Sequence, residues 1–216
     1  MAILSPSILA ADLLNLQEEI NKTKAAGAKW LHIDVMDGIF VPNLSFGYSA
    51  VHDFSSATDM ILDVHLMIQR PIRYIRDFCE AGANYITVHV EADTFDETSA
   101  ALDMISEYGV KPGIAIKPQT PIEAALPLLP KSRLVLIMTV EPGFGGQSFM
   151  QEMLPKIKKV REFIAKSNLH CLISVDGGID ILTGAKCVKS GADVLVTGSA
   201  FYSSSDKEKF VSLITR

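Results

Sequence analysis

Glycine interrupts this chain at regular intervals. Ala26-Gly27-Ala28, Ala81-Gly82-Ala83, Tyr108-Gly109-Val110 and Ser190-Gly191-Ala192 each follow a helical pattern and precede an apolar run. That is the arrangement of a helix stopped by glycine. The four glycines are separated by 55, 27 and 82 residues, close to two, one and three units of 27, and eight such units fill the 216 residues. Apolar runs fall where this count places strands, at 3–8, 30–35, 61–67, 85–90, 113–116, 134–140, 171–175 and 194–196. Several are almost continuously apolar, as parallel strands buried on both faces are, whereas a half-exposed antiparallel strand alternates. Amphipathic stretches at 13–25, 72–80, 95–107 and 150–167 lie between them. Strand and helix in strict alternation predict an α/β fold, a single (β/α)8 TIM barrel with a parallel eight-stranded barrel over residues 1–216. An open doubly wound sheet is the competing architecture. Its dinucleotide-binding form needs G-x-G-x-x-G after the first strand, where Pro6 and Ser7 stand instead.

The length suits one domain with one core. With 48% hydrophobic and 21% charged residues, the composition is that of a globular protein in water. The formal charge is -5, from 25 acidic and 20 basic side chains, and no basic run is present to follow a phosphate backbone, so nucleic acid is not an expected partner. The first residues carry no basic segment ahead of an apolar stretch, and no apolar run approaches the roughly 18 residues of a membrane span. A cytoplasmic protein without a membrane partner is expected. Cys79, Cys171 and Cys187 are odd in number and widely spaced, which reads as core thiols rather than a zinc or redox motif.

In such a barrel the chemistry sits at the carboxyl ends of the strands. His32 and Asp34, two apart on the second strand, share a face; His65 lies near the end of the third, and Asp176 ends the seventh. Inward-pointing His and Asp side chains are costly to desolvate unless paired or coordinated, and one divalent cation satisfies all four. His89 with Glu91 on the fourth strand, and Asp63 with His65 on the third, make rival pairs that spacing alone does not rank. Asp37 reads as a turn residue before Gly38.

Three glycine-rich segments follow strands six, seven and eight: Pro142-Gly143-Phe144-Gly145-Gly146-Gln147-Ser148, Asp176-Gly177-Gly178-Ile179 and Thr197-Gly198-Ser199-Ala200. Glycine lets backbone N–H groups approach a phosphate, and barrels often bind one at the last two of these places. A phosphate cradle is therefore expected. Met36, Met67 and Met138 fall at positions where thioethers can wall the same cavity and keep water out.

These stretches, with Ser5-Pro6-Ser7-Ile8-Leu9, His32-Ile33-Asp34-Val35-Met36-Asp37-Gly38, Phe40-Val41-Pro42-Asn43, His65-Leu66-Met67 and Val175-Asp176-Gly177-Gly178, run in order along essentially the whole chain. They resemble the ribulose-phosphate 3-epimerase family of the pentose phosphate pathway. The resemblance implies one divalent metal per chain, commonly zinc but also iron, manganese or cobalt, at His32, Asp34, His65 and Asp176, and no organic cofactor. By the same likeness His89, Glu91 and Asp63 are not ligands, Ser7 and His65 touch the substrate, Asp34 and Asp176 are the acid and base, and the glycine loops hold the phosphate of a phosphorylated ketose. A homo-oligomer is also implied. Two positions depart from the family's usual pattern: Ile39, where many members carry His or Gln, and Ser174, where an acidic residue often stands. Both bear on details of the active-site rim.

The chemistry that follows is inversion at C3 of D-ribulose 5-phosphate to give D-xylulose 5-phosphate. A divalent metal stabilises the developing enediolate as a Lewis acid, one Asp removes the proton, and the other returns one to the opposite face. An epimerase for another ketose phosphate, such as allulose 6-phosphate, would use the same parts. A non-catalytic phosphosugar-binding barrel would have no need of all four ligands.

Overall fold

The structure, a computed structural model, describes residues 2–216. Eight strands alternate with helices: β1 (Ile3–Pro6), β2 (Trp30–Met36), β3 (Ile61–Met67), β4 (Tyr85–His89), β5 (Lys111–Ile116), β6 (Leu134–Met138), β7 (Leu172–Asp176) and β8 (Val194–Thr197). All paired neighbours are parallel, β1 beside β8 and the rest in sequential order round to β2. A parallel bridge between Ser7 and His32 brings β1 against β2, so the sheet curls into the expected (β/α)8 barrel.

The helices are α1 (Leu16–Ala25), α2 (Tyr48–Ala57), α3 (Ile75–Glu80), α4 (Phe95–Glu107), α5 (Leu154–Lys166), α6 (Ile181–Ser190), α7 (Ser199–Tyr202) and α8 (Lys207–Ile214). The four glycine stops all adopt the left-handed conformation that favours glycine, with φ of 97° at Gly27, 98° at Gly82, 76° at Gly109 and 115° at Gly191. The amphipathic stretch at 95–107 coincides with α4, but those at 13–25, 72–80 and 150–167 each open with a 3-10 turn before the α-helix. Between β5 and β6 two 3-10 turns, Ile122–Ala124 and Leu126–Lys131, take the place of a helix. Pro121, Pro127 and Pro130 remove the donors that a continuous α-helix there would use. The first strand is shorter than the apolar run 3–8, because Ile8 already begins a 3-10 turn.

Strand residues alternate between the barrel interior and the helix layer. Leu31, Ile33, Val64, Ile86, Ile114, Ile137 and Ile173 join the helices in the main core, while Trp30, Tyr85, Leu134 and Val194 plug the barrel from within. The Trp30 and Tyr85 rings pack with centroids 4.6 Å apart. Above this plug the interior turns polar on five strands, with buried Ser5 on β1, His32 on β2, Asp63 on β3, Thr87 on β4 and Ser174 on β7. The apolar plug is thus the base on which the polar site stands. Cys171 and Cys187 are buried, and half-buried Cys79 packs against the core. Burial pushes their thiols up to about 12, 12 and 11, so they are not thiolates at neutral pH.

Gly113 on β5 is fitted to its register partner Thr87 on the adjacent strand β4. A Cβ built there would lie 2.2 Å from Thr87 Oγ1, a buried hydroxyl with no hydrogen-bond partner among the described residues. Gly113→Ala is expected to destabilise the fold by about 1–3 kcal/mol, the usual cost of overpacking. Thr87→Ala in the same chain should recover most of that loss, because it removes the clashing oxygen without orphaning a partner. Equal, additive losses in a double-mutant cycle of denaturant midpoints would refute the packing account.

Candidate active site and metal centre

The parallel register of β2 and β3 sets Asp34 opposite His65 and His32 opposite Asp63. Because His32 and Asp34 are two apart on one strand, and Asp63 and His65 two apart on the next, all four side chains enter the barrel together. Asp176 arrives from the end of β7. The Oδ1 of Asp34 lies 3.2 Å from His32 Nε2 and 3.1 Å from His65 Nδ1. Its Oδ2 accepts a 2.6 Å hydrogen bond from Ser7 Oγ. The Oδ2 of Asp176 lies 3.9 Å from both imidazoles. One ligand atom from each of His32, Asp34, His65 and Asp176 lies within 4.8 Å of the others. Two imidazoles and two carboxylates in so small a volume form a donor set that suits a divalent ion such as zinc.

The rival pairs sort by depth. Asp63 sits behind His32, with Oδ2 2.8 Å from His32 Nδ1 and 3.2 Å from the donating Ser5 Oγ. His89 and Glu91 sit behind His65, and neither joins the four-residue cluster.

Burial works against charge on His32, Asp34 and Asp176, and the neighbours decide the outcome. Burial opposes the His32 imidazolium, but Asp34 and Asp63 outweigh it and hold its pKa well above the usual value. Burial likewise opposes the Asp34 carboxylate, but His32 and His65 hold its pKa far below the usual range. Asp176 goes the other way. Burial first, then the Asp34 charge, push it up to about 6.

Above the cluster opens a cavity of about 950 Å³. Asp34, Asp176 and Ser7 lie in its lining, with Met36, Met67 and Met138 as its apolar wall. Gly143, Phe144, Gly145 and Gly146 line it from the β6 loop, Gly177 and Gly178 from the β7 loop, and Gly198 and Ser199 from the β8 loop. His32 and His65 are fully buried and stand behind this lining. Gly178 has φ of 64°, and a Cβ there would come within 2.5 Å of Phe149 N, so glycine is required for the β6 and β7 loops to pass so closely. Asp37 is a turn residue: Oδ1 accepts from the Ile39 and Phe40 N–H groups and Oδ2 from Gln69 N, all at 2.8 Å. Ile39 is 71% exposed outside the cavity. Ser174 is fully buried inside the barrel rather than at the rim, because it shares the inward face of β7 with Asp176.

Several residues around the cavity carry roles that the sequence did not reveal. Thr139 Oγ1 donates to the carbonyls of Asp176 and Gly177, at 2.8 and 2.6 Å, and fixes the end of β7. Ser45 Oγ donates to Asp34 O at 2.5 Å and accepts from Met36 N at 2.9 Å, holding the end of β2. Asn43 Nδ2 donates to Gly143 O at 2.9 Å, tying the β2 loop to the β6 loop. Gln147 Nε2 donates to the carbonyls of Glu141 and Phe144, at 2.6 and 2.9 Å, closing the glycine loop on itself. Asn43 and Gln147 lie inside the quoted motifs, so the motifs marked their positions but not their contacts.

The metal-free cluster carries a pH signature. His32 and Asp176 both hold protons more tightly folded than unfolded, so the stability they confer is greatest in acid. The Asp176 share is lost from the unfolded value of 3.8 up to about 6, and the His32 share from 6.5 upward. Asp34, with a lowered pKa, acts oppositely, but only as pH falls below 3.8. The melting temperature of metal-stripped protein should therefore fall as pH rises above about 6, and added divalent ion should raise it more at the alkaline end, where the ion displaces fewer protons. Calorimetry of both forms checks this; a metal-free midpoint that climbs over that range would count against the assignment.

The chain matches the family model described as the ribulose-phosphate 3 epimerase family over residues 3–202. It is 44% identical over 215 residues to the ribulose-phosphate 3-epimerase of Bacillus subtilis, covering 99% of this chain and 98% of that protein. It is 41% identical over 204 residues to the chloroplastic ribulose-5-phosphate-3-epimerase of Arabidopsis thaliana, covering 94% of this chain and 73% of that one. Among solved structures, 3-hexulose-6-phosphate synthase from Salmonella typhimurium shares the barrel with a TM-score of 0.72 at 19% identity, covering 99% of this chain and 96% of that chain. KGPDC from Streptococcus mutans does so with a TM-score of 0.71 at 14% identity, covering 99% and 95%. No helix among the described residues is long and apolar enough to cross a membrane. With the family model spanning nearly its whole length and relatives above 40% identity along it, the chain belongs to the ribulose-phosphate 3-epimerase family.

Proposed function

We propose that this protein interconverts D-ribulose 5-phosphate and D-xylulose 5-phosphate by inversion at C3, in the pentose phosphate pathway, with one zinc ion held by His32, Asp34, His65 and Asp176. The observation that carries this is the convergence of those four side chains within 4.8 Å at the floor of the cavity that the three glycine loops surround. A divalent ion held by these four residues would supply Lewis acidity for the negative charge that develops on the substrate as C3 loses its proton. Family likeness adds a homo-oligomer.

The chain's own groups do the rest. Asp34 is oriented by the hydrogen bond from Ser7 Oγ, which fits it to take the C3 proton. Asp176, which reaches the same cluster from the end of β7 and lines the cavity, is placed to deliver a proton to the other face. In the reverse direction the roles exchange. Met36, Met67 and Met138 keep water from the carbanion-like carbon, and the backbone of the glycine loops holds the phosphate, so no cationic side chain is needed for it.

The first test is a coupled assay of metal-loaded protein on ribulose 5-phosphate and allulose 6-phosphate side by side, with early product analysed in heavy water. Turnover should favour the pentose, and the product should carry deuterium at C3, because the group that reprotonates is not the one that took the proton. Asp34→Asn and Asp176→Asn should each cost at least about 100-fold in kcat. Early product that kept its C3 hydrogen, together with near-normal turnover in both variants, would overturn the two-base assignment.

The cradle has its own test in Gly198, where a Cβ meets only Ala10 Cβ, at an ordinary 3.4 Å. Gly198→Ala therefore folds, yet it places a methyl group where backbone should approach phosphate. KM is expected to rise about tenfold, one lost contact's worth, with a smaller change in kcat, and Gly198→Val should do more. An unchanged KM in both variants would remove the β8 loop from the phosphate site.

A further inference from the structure

His89 and Glu91 are buried or nearly so, at the end of β4, and the reaction proposed above gives them nothing to do. Neither lines the cavity. They form a chain behind one metal ligand. His65 Nε2 lies 2.8 Å from His89 Nε2, and His89 Nδ1 lies 3.1 Å from Glu91 Oε2. Glu91 Oε1 accepts the backbone N–H of Lys117, just past β5, at 2.8 Å. The His65 and His89 rings are stacked with centroids 5.0 Å apart, and Phe40 closes the other side of His89 at 4.9 Å.

We infer that Glu91 and His89 are positioning residues that select which nitrogen of His65 faces the metal. The tautomers follow from the bonding pattern. A carboxylate only accepts, so His89 carries its proton on Nδ1. Neutral His89 then offers a lone pair at Nε2, and His65 must donate Nε2–H to it. That leaves the His65 Nδ1 lone pair aimed at the cluster, 3.1 Å from Asp34 and 3.9 Å from Asp176. His32 is set in the opposite sense by a single partner. Its Nδ1 meets Asp63 at 2.8 Å, so its Nε2 is the free nitrogen. The two histidines thus present different nitrogens, one fixed by a carboxylate directly and the other through an intervening imidazole. Because Glu91 is pinned to the end of β5, the His65 ring is braced across three strands. Outer partners of this kind orient a ligating imidazole and raise its basicity, and their loss typically weakens metal binding 10- to 100-fold.

The inference rests on the metal reading of the cluster, and the experiment separates the two. Glu91→Gln keeps size and shape. Its amide oxygen must still accept from Lys117 N–H, which turns the amide nitrogen toward His89 as a donor. That reverses the relay and places a proton on His65 Nδ1, in competition with the metal. Zinc affinity measured by chelator competition should fall about 10- to 100-fold in Glu91→Gln, and likewise in His89→Phe where it folds. Saturating zinc should restore kcat with KM within about twofold of the parent, which a merely structural role would not predict. Nitrogen-15 shifts of the imidazoles in zinc-loaded parent protein should report His65 protonated on Nε2 and His89 on Nδ1. Parent protein that fails to bind zinc would refute the metal reading. Parent protein that binds zinc with the same affinity as Glu91→Gln, or with His65 protonated on Nδ1, would refute the relay alone.

Discussion

Everything at the mouth of this barrel depends on how the Asp34 carboxylate is neutralised. It is buried and touches two imidazoles through one oxygen and a serine hydroxyl through the other. An isolated carboxylate at such a depth would give up its charge, so the neighbours are a condition of its being ionised at all. Protons on His32 and His65 can meet that condition, and so can a divalent cation in the same space. The two solutions exclude each other, since a ligating nitrogen must surrender its proton. The cluster can thus hold protons or a cation but not both, and Asp176, with its raised pKa, stands at the edge of that balance.

This balance is only as good as the rigidity beneath it. Trp30, Tyr85 and Leu134 fill the barrel below, and the parallel register of β2 and β3 brings the His32 and Asp34 pair beside the Asp63 and His65 pair. Strands joined by hydrogen bonds on both edges cannot slide by one residue without turning every interior side chain outward. The charged groups therefore sit on the stiffest part of the molecule. The loops above it are tied down one contact at a time, by Asn43, Thr139 and Gln147.

Much of this was legible in the sequence, for a physical reason. Periods of two and of 27 residues are consequences of strand geometry and of barrel construction, so the faces of His32, Asp34 and His65 and the left-handed glycines could be read from spacing. Partners and depth could not. Asp63 and His65 have the same spacing as His32 and Asp34, yet Asp63, level with His32, meets the back of that imidazole and serves as its partner rather than joining the cluster. Ser174 looked like a rim position and is buried, because its neighbour Asp176, not the serine, is the last inward residue of β7. The contacts of Asn43 and Gln147 have no period at all. They join loops that come together only once the barrel has closed.

The separation of floor from cradle also bears on which ketose phosphate is accepted. On the proposed reading the chemistry falls on C2 and C3, atoms that a pentulose and a hexulose phosphate share, so the floor cannot tell the two apart. The phosphate lies two carbons beyond C3 in the pentulose and three beyond it in the hexulose. A cradle fixed at one height can seat only one of these while the reacting carbon stays over the carboxylates. The contacts that fix the height are those between the loops: Gly178 passing Phe149 with no room for a side chain, and Asn43 holding Gly143. Discrimination by chain length is then a property of loop packing rather than of any residue that touches the sugar, and substitutions that loosen these contacts are the ones that should blur it.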